Sequence, residues 1–247
     1  MFDYHAPDEL LKNRIILITG AGDGIGRAAA LSFAQHGATV ILAGRTVKKL
    51  EAVYDLIESN GWPQPAIFPI NLEGATPHDY DVVAATIEEE FGRIDGLLNN
   101  ASLLGNRTPI ENYDPSVWSQ LMQVNVNAQF FMTQAMLPLL MKSDDASVVF
   151  TSSGVGRKGS AYWGAYAVSK FATEGLMQVL ADELENTSNI RVNAINPGPT
   201  RTNMRAHAYP AENPYNLATP EQIMPLYLYL MGADSKNSNG QSIDAQP

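Results

Sequence analysis

The chain has 247 residues, 45% of them hydrophobic, which is enough to bury a sizeable core, and α/β folds of this length often remain a single domain. A formal net charge of -10 opposes the attraction that supplies most non-specific nucleic-acid binding, so neither nucleic acid nor an anionic membrane is an expected partner. There is no Cys, which excludes disulfides, thiolate metal sites and a Cys nucleophile.

The start, MFDYHAPDELLKNR, has no basic segment followed by an apolar core and does not read as a signal peptide. No run of about 18 apolar residues follows that could span a bilayer, so a cytoplasmic location is expected. Short aliphatic and β-branched runs at 14–19, 39–43, 66–70, 94–98, 147–151 and 190–195, with a last one near 241–243, read as strands. Each is nearly continuous, as expected of strands covered on both faces. Helical stretches alternate with them at about 25–36, 46–60, 76–91, 114–141, 162–187 and 219–231. The 114–141 helix opens on Asp114-Pro115, an N-cap followed by a first-turn proline. The pattern predicts one α/β domain over residues 1–247, a doubly wound parallel sheet of the Rossmann type with about seven strands and helices on both faces. The segment 197–219, rich in Pro, Asn, His and Tyr, is too long for an ordinary connection and reads as an irregular substrate lid, with Met204, His207, Tyr209 and Tyr215 as candidate wall residues.

The first strand leads through Thr19-Gly20-Ala21-Gly22-Asp23-Gly24-Ile25-Gly26 directly into a helix. Glycines there let the chain turn tightly and approach a pyrophosphate without a Cβ in the way, and the helix N-terminus presents free backbone N–H groups to it. Further along, Tyr166 and Lys170 stand four apart at the start of a predicted helix, so their side chains share a face one turn apart. A phenol is a useful acid or base near neutrality only if its pKa, about 10 unperturbed, is lowered, and a neighbouring lysine is expected to do that.

Thr19-Gly20 through Gly24-Ile25-Gly26, Asn99-Asn100-Ala101 after the fourth strand, Tyr166-Ala-Val-Ser-Lys170 and Pro197-Gly198 after the sixth resemble, in order and over essentially the whole chain, the short-chain dehydrogenase/reductase family. The run around 122–127 and the end Asp244-Ala-Gln-Pro247 resemble a bacterial subgroup of it. The resemblance implies hydride transfer between NADP(H) and a small carbonyl or alcohol. It assigns catalysis to Ser153, Tyr166, Lys170 and Asn125, with Ser152 left open by a spacing difference of one. Gly20, Asp23, Gly24, Ile25, Gly26, Asn71, Leu72, Asn99, Ala101, Pro197, Gly198 and Thr202, together with Tyr166 and Lys170, are the implied cofactor contacts. Members specific for NAD carry an acidic residue at the tip of the second strand, where this chain has Gly44 followed by Arg45, a partner for a 2′-phosphate.

Two positions depart from the family pattern: Ser102 replaces a glycine and Asn71 an aspartate, both toward the adenosine half. Large apolar residues on the 114–141 and 162–187 helices, among them Phe130, Phe131, Met132, Phe171, Met177 and Leu180, predict a homodimer or homotetramer. A cofactor-binding regulatory or scaffolding protein with little turnover is the alternative from another class. A serine hydrolase would need a G-x-S-x-G elbow, which is missing, and the four His residues have no metal-ligand spacing.

Overall fold

The computed structural model describes residues 1–247. Seven strands, β1 (Ile15–Thr19), β2 (Thr39–Gly44), β3 (Ala66–Pro69), β4 (Gly96–Asn99), β5 (Ala146–Thr151), β6 (Ile190–Asn196) and β7 (Ser242–Asp244), form one sheet in the order β3-β2-β1-β4-β5-β6-β7. Every pair is parallel. Order reverses between β1 and β4, and in such sheets the crevice for ligands opens there, beyond the carboxyl ends of the strands.

Strand period two divides the core. In β1, Ile16 and Ile18 pack on one side with Phe33 of α1 (Gly24–Gln35), Leu50 of α2 (Val47–Ser59) and Tyr227 of α8 (Met224–Met231). Leu17 points to the other side, toward Tyr80 of α3 (Pro77–Phe91), Met132 of α5 (Ala128–Leu140) and Met177 of α6 (Gly164–Leu184). Helix ends carry their expected punctuation. Thr76 and Asp79 form a capping box before Pro77, Gly92 ends α3 with φ +75°, and Asp114 caps α4 (Pro115–Met122) by accepting from the Ser116 N–H at 2.7 Å. No helix is long and apolar enough to cross a membrane.

The structure departs from the sequence reading in two places that matter to the site. The 114–141 helix is interrupted by a π-helical turn, Gln123–Asn127, before it resumes as α5. Insertions of this kind cluster at functional sites because they re-aim side chains without ending the helix. The 197–219 segment is not irregular throughout: it contains α7 (Asn203–Ala208), whose cap Thr202 accepts from the Arg205 N–H at 3.1 Å, and a bridge between Thr200 and Ala218. Local capping and that bridge, rather than apolar periodicity, hold it.

Candidate active site

The glycine turn is built against the end of β4. Thr19 Oγ accepts from the Asn100 and Ala101 N–H groups at 3.0 and 3.1 Å, drawing the two strand ends together. Gly20 and Gly24 have φ of +71° and +52°, conformations that disfavour any side chain. A Cβ on Gly26 would lie 2.2 Å from the Gly20 carbonyl oxygen, so Gly26 serves close packing of the turn on itself and does not line the cleft. Asp23 caps α1 through the Gly24 N–H at 2.7 Å. It also accepts from Lys49 Nζ at 2.5 Å and from Asn203 Nδ2, across the cleft on α7, at 3.1 Å. The Lys49 hydrogen bond holds its carboxyl below the usual range against the opposing effect of burial. Lys49, overlooked in the sequence, thus engages the carboxylate that would otherwise oppose a phosphate; its signal was a cation one turn beyond Arg45.

Across the crevice, the carboxyl end of β5 and the first turns of α6 bring Ser153, Tyr166 and Lys170 to one wall. Lys170 is only 1% exposed, and its Nζ donates to the Thr151 carbonyl at 2.7 Å and lies 5.4 Å from the Tyr166 ring centroid. Burial pushes the Lys170 ammonium down to about 8, with Glu174 pulling the other way. Burial also pushes Tyr166 up to about 12, although a hydrogen bond with the Ser153 hydroxyl pulls it down. Among the protein's own groups desolvation outweighs the Ser153 hydrogen bond, so Tyr166 stays protonated at neutral pH. Ser152 also borders the cleft, but its buried hydroxyl is turned to Glu174, to which it donates, whereas the Ser153 hydroxyl meets the phenol.

A cleft of about 720 Å³ joins the two walls. Gly20, Asp23, Gly24, Ile25, Arg45, Asn71, Leu72 and Ala101 line it on the β1–β4 side, and Pro197, Gly198 and Thr202 on the other. Asn99 does not: its Nδ2 donates to Thr133 of α5 at 2.9 Å, while the neighbouring Asn100 lines the cleft. Nor does Asn125 line it. From the π turn its amide accepts from the Leu103 N–H at 2.7 Å and donates to the Leu103 carbonyl at 2.9 Å and to Ser169 Oγ at 3.0 Å, fixing the loop that does. Met204 and His207 are wall residues as expected, but Tyr209 and Tyr215 are not. Tyr215 is 82% exposed, and Tyr209 stacks beside Trp163 and the guanidinium of Arg107, which donates to the Ala208 carbonyl and so clasps α7. Trp163 is a further wall residue, 5.7 Å from the Tyr166 ring; its signal was an aromatic three residues earlier on the same helix face.

The cleft fits a dinucleotide. Its floor is a turn that a Cβ would obstruct, its β1 side ends on the free N–H groups of α1, and Ser102 Oγ in its wall has no protein partner. Fold and site together define a doubly wound enzyme with a Ser–Tyr–Lys wall facing a phosphate-binding turn. The short chain dehydrogenase family matches residues 14–213, and the chain belongs to that family. It is 55% identical over 244 residues to YciK of Escherichia coli strain K12, an uncharacterised oxidoreductase, covering 99% of this chain and 96% of that one. A short chain dehydrogenase from Salmonella enterica serovar Typhi superposes with a TM-score of 0.97 at 56% identity, over 99% of this chain and 100% of that one. One from Escherichia coli CFT073, solved in complex with NADPH, gives a TM-score of 0.95 at 56% identity over 98% and 100% of the two chains.

Proposed function

We propose that the protein reduces a carbonyl compound to an alcohol with NADPH, and runs the reverse when alcohol and oxidised cofactor dominate. The observation that carries this is the wall formed by half-buried Ser153 and Tyr166 with buried Lys170 beside them, opposite the glycine turn. Residues Gly20, Ile25, Arg45, Ala101, Lys170 and Thr202 would hold the cofactor, which supplies the hydride. Tyr166, kept protonated by burial, donates its proton to the carbonyl oxygen, and the Ser153 hydroxyl steadies that oxygen by a hydrogen bond. Lys170, anchored on the Thr151 carbonyl, places its ammonium beside the ring and favours the phenolate that proton donation leaves. Asn125 acts on the wall through Leu103 and Ser169. Helix α7 and its flanks form the lid, tied to the glycine turn by Asn203 and to the loop after β4 by Arg107. The deciding experiment is NADPH absorbance during turnover of a panel of aldehydes and ketones; no oxidation with any of them counts against the reading.

In this scheme the alkaline limb of the reduction rate belongs to Lys170. Tyr166 remains a proton donor up to about 12, whereas Lys170 loses its charge above about 8. Reduction is expected to be level below that value and to fall above it. A limb that begins only near the phenol would oppose this.

Arg45 is exposed at the cleft rim and forms no ion pair within the protein, while Lys49 is neutralised by Asp23. A charge-assisted bond to a 2′-phosphate contributes about 1.5–3 kcal/mol, or roughly 10–100-fold. Competitive titration is expected to show NADPH binding tighter than NADH by that factor, and Arg45→Ala should erase most of the gap. Equal affinities in the parent protein would overturn the assignment.

The proposed self-association also becomes more specific. Met132, Met177 and Leu180 are buried against the sheet, and Phe131 is partly covered by Tyr80. Phe130 on α5 and Val168, Phe171 and Val179 on α6 remain 43–57% exposed on outer faces. Light scattering at micromolar concentration is expected to show a dimer or tetramer, and Phe171→Glu to shift it toward monomer; a monomeric parent protein would refute it.

A further inference from the structure

We infer that Glu174 is a positioning residue for the proton-transfer wall: from behind it, Glu174 holds Lys170 in the ammonium form and braces the Ser152–Ser153 end of β5. The consequence for catalysis rests on the proposed function, but the effect on Lys170 does not. Helix α6 places Glu174 one turn beyond Lys170 on the same face, and both are buried, at 6% and 1% exposure. A buried carboxylate persists only with partners. Glu174 accepts from Ser152 Oγ, and from Ser242 Oγ of β7 at 2.8 Å, with Arg157 Nε 3.8 Å away. Arg157 is itself drawn toward the outside, donating to Asp244 at 2.8 Å and to Ser242 Oγ at 2.7 and 3.0 Å. One carboxylate therefore joins α6 to the ends of β5 and β7 directly behind the reacting groups.

Lys170 needs such a neighbour. Its hydrogen bond to Thr151 is to a neutral carbonyl, and no carboxylate lies within ion-pair distance of its Nζ. The groups that face this pair from the surrounding elements are the Tyr166 phenol on α6, the Tyr227 hydroxyl of α8 behind Thr151, Arg157 beside the turn at 154–156, and Asp244 of β7. The two phenols are neutral, and Asp244 is neutralised by Arg157. Glu174 is the buried anion of the set, and it opposes the discharge of Lys170 that burial favours. The turn at 154–156 leaves little slack, since a Cβ on Gly156 would meet the Lys170 backbone at 2.9 Å.

The test follows the Lys170 side-chain nitrogen by NMR titration of the ¹⁵N-lysine-labelled full-length protein without cofactor, the signal assigned by its absence in Lys170→Met. The parent protein is expected to titrate near 8. Glu174→Gln should lower the midpoint by on the order of one unit, and Arg157→Gln, which removes a competing cation from a partly exposed position, should raise it. In the active protein the alkaline limb of reduction should move with the Lys170 midpoint, and Glu174→Asp should restore most of it. Glu174→Gln that melts earlier but leaves Lys170 unmoved would reduce the carboxylate to a tie between strands and overturn the proposal. If Glu174→Gln does not fold, Glu174→Met, which puts an apolar side chain of similar length in place of the carboxylate, decides instead: a lowered midpoint supports the proposal and an unchanged one overturns it. Because the titration needs no turnover, an enzyme inactive on every carbonyl tested would refute the functional reading and leave this result standing.

Discussion

Tyr166→Phe is expected to lower kcat for carbonyl reduction by about 10²–10⁴-fold, the usual contribution of general acid–base catalysis, while cofactor binding stays close to the parent value. The substitution removes one hydroxyl and leaves the ring. Its contacts with Trp163 at 5.7 Å and with the Lys170 ammonium at 5.4 Å remain, so the wall keeps its shape. The loss is confined to the proton that the parent phenol, held near 12 by burial, would donate, and to its hydrogen bond with Ser153. Single-turnover measurement of NADPH oxidation separates this chemical step from binding. A Phe enzyme with full kcat and an unaltered pH profile would remove Tyr166 from the mechanism, and the regulatory or scaffolding alternative would regain weight.

Most of the sheet was legible because its strands are short apolar runs buried on both faces, and because turn and cap residues punctuate them. What remained hidden is largely a matter of which side a side chain takes. At a strand end, neighbours point to opposite faces, so a motif locates a pair but not the working member. Ser152 and Ser153 show this: one donates into the protein to Glu174 while the other meets the phenol. Asn99 and Asn100 repeat it, the first turned to Thr133 of α5 and the second to the cleft. The partners that settle these choices, Glu174 and Thr133, lie far along the chain, where local pattern carries no information about them.

The π turn was hidden for a related reason. It adds a single residue to an otherwise helical periodicity, and its justification is tertiary: it lets Asn125 reach both backbone groups of Leu103. Helix α7 is only six residues long, too short for periodicity to register, and the Thr202 cap and the Arg107 clasp hold it in place. Glycines, by contrast, were informative in advance. Gly20 and Gly24 adopt positive φ and Gly26 has no room for a methyl group, constraints that act within the loop itself.

At the opposite end of the sheet from the cleft, Asp145→Ala is expected to cost about 3 kcal/mol of stability without changing kcat, the lower end of the range for breaking a buried ion pair. Asp145 accepts from Arg14 Nη1 of the segment entering β1 at 2.8 Å and from Arg191 Nη1 of β6, so one carboxylate joins three strand starts. The two guanidinium groups are 12% and 7% exposed, and Arg14 Nε already has no partner. Removing the carboxylate leaves two cations close together in a poorly hydrated place. For a chain of this size the loss corresponds to a fall in Tm of roughly 6–12 °C. The exposed Lys142–Glu88 pair at 2.7 Å is the control, since Glu88→Ala should cost under about 1 kcal/mol. Burial alone would raise the Asp145 carboxyl, but the hydrogen bonds from Arg191 and Arg14 outweigh it and hold it below the ordinary value. Its contribution is therefore complete above the unfolded pKa of about 3.9 and is lost as pH falls through the depressed value. Urea unfolding followed by circular dichroism should show the gap between parent and variant at full size at pH 7 and narrowing in acid. A gap that is small at pH 7, or one that does not change with acid, would mean that the two arginines find other partners and that Asp145 is not what holds these strand starts together.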